Sequence, residues 1–148
     1  MASDSPSDGG NRDRDSGETT IEDLIETVER LERQGRELPS MEDLHSQVSE
    51  SLAKFDETSP DEMAAFGEFL GEVETEGALS TKQKELTAVS LSVVTHCKWC
   101  IAYHVKNAVD EGATPDEIRE AGWMAVLMGG GPALMYYQLV EKAVDEMA

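Results

Sequence analysis

Two cysteines placed three residues apart are the side chains in this sequence best suited to chemistry. Cys97 and Cys100 are the only cysteines among the 148 residues, and they lie in the segment THCKWCIAYH that ends at His104. The pair and His104 are spaced i, i+3 and i+7, so a helix would place all three on one face with the cysteines in its first turn. Free amides and the positive end of the helix dipole stabilise a thiolate there. Two thiols one turn apart can also close a disulfide.

Cysteines at this spacing have other uses, and the sequence excludes two of them. Covalent haem attachment needs a histidine directly after the second cysteine, where Ile101 stands. A thioredoxin-type site needs a strand before the dithiol, and the sequence pattern predicts no strand. Two alternatives stay open: inert cysteines that pack as small hydrophobes, and a zinc site. The zinc ligands would be Cys97, Cys100 and His104 with His96 or His45, although a second ligand pair on a separate element is missing.

Glu85 is the carboxylate that the chain can bring to the dithiol. It lies twelve residues before Cys97, near the start of the preceding predicted helix. A glutamate in such a place is usually a solvated surface charge. Here the following residues are mostly apolar, and a helical hairpin would fold Glu85 back over the cysteines. A carboxylate, an imidazole and a thiol in one pocket can form a proton relay.

The hydrophobic pattern is helical nearly everywhere after residue 18 and predicts an all-α bundle of about six to seven helices. Capping residues predict where the helices start: Thr19, Ser40, Ser59 with Pro60, Ser80, and Thr114 with Pro115. Glycines predict most of the ends, with Gly112 in the position after the C-cap and a break or kink at Gly129–Pro132. The first two apolar stripes are Ile21, Leu24, Ile25, Val28 and Leu31, then Met41, Leu44, Val48, Leu52 and Phe55.

Composition divides the chain into three parts. Residues 1–18 carry almost no apolar side chain, so we predict a disordered acidic tail. Residues 19–57 are predicted to form an acidic helical extension. Residues 58–148 contain the dithiol and most of the apolar stripes, and they are predicted to form the core domain.

The charge of the chain excludes several classes of partner. The formal net charge is −19, and 31 acidic residues stand against 12 basic ones. Such a charge repels nucleic acid and anionic lipid, and no apolar run is long enough to cross a bilayer. The start of the chain lacks the features of a secretory signal, so we expect a cytoplasmic protein. We interpret the acidity as a surface adapted to high salt; an acidic patch for a basic partner is the alternative.

The sequence resembles the alkylhydroperoxidase D-like branch of the carboxymuconolactone decarboxylase superfamily over about residues 60–148. The resemblance implies an all-helical, obligately oligomeric protein with a redox-active dithiol. We expect neither a cofactor nor a metal. The residues that carry it are Glu85, Cys97-x-x-Cys100-x-x-x-His104, Gly112-Ala113-Thr114, Glu117-Ile118, Glu120-Ala121 and the glycine-rich run Met128–Pro132.

The same resemblance implies a function and a role for each site residue. Cys100 would attack a hydroperoxide, Cys97 would resolve the product as a disulfide, and Glu85 and His104 would relay protons. Position alone would instead make Cys97, nearer the helix start, the more acidic thiol. The expected activity is hydroperoxide reduction with an external thiol as reductant. The alternatives are a disulfide reductase that serves another peroxidase, and a non-catalytic helical scaffold or small-molecule binder.

Apolar residues beyond those one small bundle can bury predict a homotrimer or homohexamer, in line with the resemblance. They are Phe66, Phe69, Leu70, the stripe 123–127, Leu134, Met135, Tyr136, Tyr137 and Leu139. Because each chain brings a charge of −19, we expect the assembly to need high salt.

Overall fold

The computed structural model describes residues 20–148, which form six α-helices and contain no strand. The predicted all-α class and the number of helices are therefore confirmed for this part of the chain, whereas the predicted tail 1–18 lies outside it. No helix among residues 20–148 has both the length and the hydropathy needed to span a membrane. The helices are α1 (Ile21–Arg36), α2 (Met41–Thr58), α3 (Pro60–Glu74), α4 (Thr81–Val94), α5 (Lys98–Asp110) and α6 (Pro115–Met147).

The chain divides into two compact units with the boundary between Glu37 and Leu38. In the first unit, α1 carries exposed apolar side chains, among them Ile21 and Leu24. The second unit contains α2 to α6. It starts twenty residues before the predicted core domain at 58, because Met41 and Leu44 at the start of α2 are buried in its hydrophobic core.

Side-chain caps fix most of the helix starts that the sequence predicts. Ser40 Oγ accepts the Asp43 N–H at 3.2 Å, and Ser80 and Thr114 each form a full capping box. Ser59 is the N-cap residue of α3 as predicted, but the side-chain cap predicted for it does not form. Its backbone leaves the extended region, at φ −146° and ψ 61°, and its side chain makes no cap hydrogen bond, although Pro60 occupies the first turn as expected.

The core lies where α4, α5 and α6 pack together with the first turn of α2. Its buried side chains include Val89 and Val93 of α4 and four from α5, which are Ile101, Ala102, Val105 and Ala108. The start of α2 is tied to the end of α6, since Glu146 Oε2 accepts the Met41 N–H at 2.7 Å. The dithiol helix α5 packs against α4, α6 and α2.

α6 folds back on itself at Gly130, where the sequence predicts a break or kink. Gly130 has φ 63° and ψ −147°, a conformation essentially restricted to glycine. The arms 115–129 and 131–147 contact each other, because Arg119 Nε donates to Glu141 Oε2 at 2.9 Å across 22 residues. Burial and a hydrogen bond to Glu141 raise the pKa of Tyr137 to about 12. Hydrogen bonds from Arg119 and from Tyr137 lower the pKa of Glu141.

Candidate functional site

Cys97 and Cys100 form a disulfide at the N-terminus of α5. Cys97 is the N-cap residue, and its Sγ accepts the Cys100 N–H at 3.2 Å. The two Cα atoms are 5.2 Å apart. The predicted placement of the pair in the first turn of a helix is therefore confirmed. A sulfur in the N-cap position lies among the free amide groups of the helix start, where a thiolate is stabilised.

Glu85 and His104 form a hydrogen-bonded pair between α4 and α5. Glu85 Oε2 lies 2.8 Å from His104 Nδ1, and the glutamate is only 5% exposed. When Nδ1 donates to the carboxylate, Nε2 is the ring nitrogen left to exchange a proton. The helical hairpin thus brings Glu85 back toward the dithiol helix, as the sequence predicts.

Cys100 and His104 line a cavity of about 510 Å³ between α2, α3 and α5. Among the residues that the structure describes, Cys100 is the one cysteine in its lining. The walls are mostly apolar and include one carboxylate, that of Glu74. The remaining lining residues are Gln47, Val48, Ser51, Leu52, Phe55, Phe66, Leu70, Trp99 and Tyr103.

A second cavity of about 290 Å³ lies on the other side of the Glu85–His104 pair. Glu85, Lys84 and Leu91 of α4 line it together with Val73 of α3, and His104 lines both cavities. The imidazole therefore stands between the Cys100 cavity and the space around Glu85. This position suits a group that passes protons between the two.

Aromatic side chains of α5 form part of the lining of the Cys100 cavity. Trp99 Nε1 donates to Gln47 Oε1 at 3.1 Å, which ties α5 to α2. The Lys98 ammonium lies 4.5 Å from the centre of the Trp99 ring, a cation–π contact between the two residues that separate Cys97 from Cys100 in the sequence. The Tyr103 ring meets the His104 ring edge-on, at 5.2 Å between centroids.

The structure brings all four predicted site residues together, but Cys97 is not in the lining of the Cys100 cavity. Cys100 and His104 share a cavity wall, and Glu85 holds His104 from behind, whereas Cys97 reaches the site through its disulfide to Cys100. In the described part of the chain, no three His, Cys, Asp or Glu side chains are grouped as a metal site. The histidines considered as a fourth zinc ligand lie in ring stacks, His45 on Tyr103 and His96 on Tyr136.

The walls of the cavity are not predicted by the sequence pattern. Phe66 and Leu70 were predicted to make subunit contacts, and the α2 stripe was predicted to lie outside the core domain. The stripe serves two purposes along α2: Met41 and Leu44 are buried in the core, and the later positions line the cavity. The apolar spacing was visible in the sequence, but nothing in it distinguishes a core position from a cavity position.

A model of the carboxymuconolactone decarboxylase family matches residues 60–140. Among curated proteins, uncharacterized protein 4 in the cox locus of Paracoccus denitrificans is 43% identical over 72 residues, which cover 49% of this chain and 65% of that protein. An uncharacterized protein of Cupriavidus necator is 30% identical over 91 residues, 62% of this chain and 80% of that protein.

Two solved structures share the fold. A carboxymuconolactone decarboxylase family protein from Legionella pneumophila superposes with a TM-score of 0.70 at 36% identity, covering 72% of this chain and 96% of that one. A family member from Thermotoga maritima gives 0.63 at 27% identity, covering 69% and 87%. The description of the Thermotoga protein suggests involvement in an antioxidative response.

Proposed function

The chain belongs to the carboxymuconolactone decarboxylase family, and we propose that within it this protein is a thiol-dependent hydroperoxide reductase. The observation that carries the proposal is the position of Cys100. This sulfur lies at a helix N-terminus, lines a cavity large enough for an organic molecule, and shares that cavity with His104, which is paired with Glu85.

In the first step, the Cys100 thiolate attacks the terminal peroxide oxygen. A sulfur–oxygen bond forms, the O–O bond breaks, and the alkoxide leaves. His104 gives the alkoxide a proton and regains one through its contact with Glu85. The helix N-terminus favours the thiolate that starts the reaction. The step yields an alcohol and a sulfenic acid on Cys100.

In the second step, Cys97 condenses with the sulfenic acid. The Cys97 sulfur bonds to the Cys100 sulfur, the S–O bond breaks, and the hydroxyl group leaves as water with the thiol proton. An external dithiol then returns both cysteines to thiols by exchange and is itself oxidised to a disulfide. The assignment of Cys100 as the attacking thiol is supported by its access to the cavity, although Cys97 lies nearer the helix start.

The cavity favours hydroperoxides with an apolar, uncharged substituent. Its lining is dominated by side chains such as Leu52, Phe55 and Phe66, and among the residues described its one carboxylate is Glu74. Burial of apolar surface favours a hydrocarbon substituent, while a carboxylate on the substrate would meet like charge.

The test compares wild type with Cys100→Ser and Cys97→Ser in peroxide consumption driven by several dithiols. We expect no turnover from either variant, and a sulfenic acid trapped on Cys100 in Cys97→Ser. A wild-type protein that exchanges disulfides rapidly but leaves peroxide unchanged would support the disulfide reductase instead. Cysteines that react with neither would support the non-catalytic binder.

We further propose that the working form is a homotrimer or homohexamer that needs high salt. Much of the apolar side-chain surface on α3, α4 and α6 is exposed, as for Phe69, Leu91, Leu127 and Met128. Such surface favours association, and the charge of −19 on each chain opposes it until salt screens the repulsion. Light scattering from about 0.05 to 2 M salt tests this. A monomer at every salt concentration, or an assembly indifferent to salt, would contradict it.

A further inference from the structure

The turn that carries Cys97 ends α4 in a backbone conformation that favours glycine. His96, directly after the C-cap residue Thr95, has φ +57°. The His96 N–H donates to the Val93 carbonyl at 3.2 Å, and the Cys97 N–H donates to the Ser92 carbonyl at 3.0 Å. These two bonds form a Schellman motif, whose left-handed position is usually occupied by glycine.

α5 ends in the same motif, with glycine at the left-handed position. Gly112 has φ +78°; its N–H donates to the Val109 carbonyl at 3.0 Å, and the Ala113 N–H donates to the Ala108 carbonyl at 2.8 Å. A Cβ on Gly112 would have no atom within 4 Å. Backbone preference alone therefore favours glycine at this turn, and His96 carries a conformational cost that Gly112 avoids.

The side chain of His96 makes a contact that glycine could not make. Although His96 is exposed overall, its ring stacks on the Tyr136 ring, with centroids 4.6 Å apart and planes 19° apart. Tyr136 lies on the second arm of α6 and packs against the hydrophobic core. The stack therefore ties the turn 95–97 to α6. In the described structure, His96 is absent from the lining of the Cys100 cavity, so its ring is placed for positioning rather than for contact with a substrate.

We propose that His96 is a positioning residue for the dithiol, whose ring, stacked on Tyr136, fixes the turn 95–97 and holds the Cys97 sulfur beside Cys100. A sulfur held at its partner closes the disulfide more readily than one on a loose turn, because its effective concentration is higher. The proposal rests on the dithiol–disulfide couple of the proposed function and does not depend on the peroxide step.

The experiment measures the fraction of disulfide in a series of glutathione buffers without peroxide, by alkylation of free thiols and mass spectrometry. His96→Gly removes the ring and relieves the backbone cost, so the fold is expected to persist. We expect the equilibrium constant for disulfide formation to fall about tenfold, which corresponds to ~30 mV. Tyr136→Leu removes the other half of the stack and should have the same effect. His96→Phe keeps an aromatic ring and should stay within about twofold of wild type.

Gly112→His is the matched control, since it places the same residue in the same motif away from the dithiol. It should lower the melting temperature and leave the disulfide equilibrium unchanged. An unchanged equilibrium in His96→Gly, a loss in His96→Phe as large as in His96→Gly, or an equal shift in Gly112→His would each overturn the proposal. If the disulfide equilibria of the variants are as expected but the protein does not reduce peroxide, the proposed function alone is overturned.

Discussion

Two of the walls of the Cys100 cavity, those formed by α5 and by α3, differ in how firmly the fold holds them. The α5 wall belongs to the core, since Ile101, Ala102, Val105 and Ala108 are all buried on the same helix. The α3 wall contributes no buried residue at all, although Phe66 and Leu70 face the cavity. The sulfur, the imidazole and the buried carboxylate are therefore on packed helices, and a large part of the apolar surface that would meet a substrate is on a weakly packed one.

The sequence of α3 explains why this wall depends on external support. Gly67 and Gly71 lower its helix propensity, and its last turns carry acids where the helix dipole favours bases. Lys84 of α4 compensates at the C-terminal end. Its Nζ donates to the carbonyls of Val73 and Thr75, each at 2.6 Å. One lysine thus supplies the positive charge that the end of α3 lacks, and it lies next to the site residue Glu85.

The largest effect is expected on the packed wall. Glu85→Gln and His104→Ala should each slow peroxide reduction by about 10²-fold or more, the usual contribution of a positioned acid–base group. Steady-state rates with an organic hydroperoxide, together with circular dichroism to check the fold, provide the measurement.

Glu74→Gln is the control for this prediction. Glu74 lines both cavities but makes no hydrogen bond or ion pair within the described structure, so its loss should change the rate less than about threefold. Rates within a few-fold of wild type for both Glu85→Gln and His104→Ala would show that the pair does not relay protons.

A smaller effect is expected on the α3 wall, and it should depend on the substrate. Phe66→Ala and Leu70→Ala remove apolar surface from the cavity, so KM for a hydrocarbon hydroperoxide should rise about tenfold while the rate with hydrogen peroxide stays unchanged. Glu68→Ala, at an exposed position on the same helix and outside the cavity lining, is the control and should leave both values unchanged. Equal losses with both peroxides would mean that the α3 wall supports the site as a whole rather than binding the substituent.

The support of α3 by Lys84 can be tested by hydrogen exchange. Lys84→Met should speed amide exchange in α3 by about threefold to tenfold, because two carbonyls lose a charged donor, and leave α5 unchanged. Lys82→Met, which breaks an ion pair to Glu117 on α6, is the control and should not affect α3. Faster exchange in α5 as well would indicate that both walls are held as one unit.

The smallest effect concerns the packed side at low pH. Since the pKa of Glu141 is lowered in the folded protein, its stabilisation is complete above the ordinary glutamate pKa and is lost as the pH falls through the lower folded value. Its side chain is 40% exposed, so solvent screening limits the contribution to about 0.5 kcal/mol. Glu141→Gln should therefore melt about 1–2 °C lower at pH 7, and the difference should shrink as the pH is lowered below the ordinary glutamate pKa. A difference that stays constant as the pH falls would point to lost packing instead.

Helix positions were predictable because caps and glycines act locally. Ser40, Ser80 and Thr114 cap as the sequence indicates, and Gly112 and Gly130 take the conformations that glycine permits. The dithiol helix and the Glu85–His104 contact were predictable for the same reason, since they involve neighbouring helices joined by a short turn. The boundary of the second unit was not, because the burial of Met41 depends on α6, about a hundred residues away.

The walls of the cavity could not be derived from the sequence. Phe66 and Phe69 are the same residue type and lie three residues apart, yet of the two only Phe66 lines the cavity. The difference depends on how α3 packs against the other helices, which no local pattern specifies. His96 was considered as a fourth zinc ligand, but it has a left-handed backbone conformation and its ring stacks on Tyr136.

The disulfide joins residues only three positions apart, and this short span determines how much it can stabilise the protein. A cross-link stabilises mainly by removing conformations from the unfolded chain, and a ring of about four residues removes few, worth about 2 kcal/mol against about 4.7 kcal/mol for a loop of 100 residues. Oxidation and reduction therefore change the melting behaviour of the domain only modestly. Both redox states can therefore be folded, as the proposed cycle between dithiol and disulfide requires.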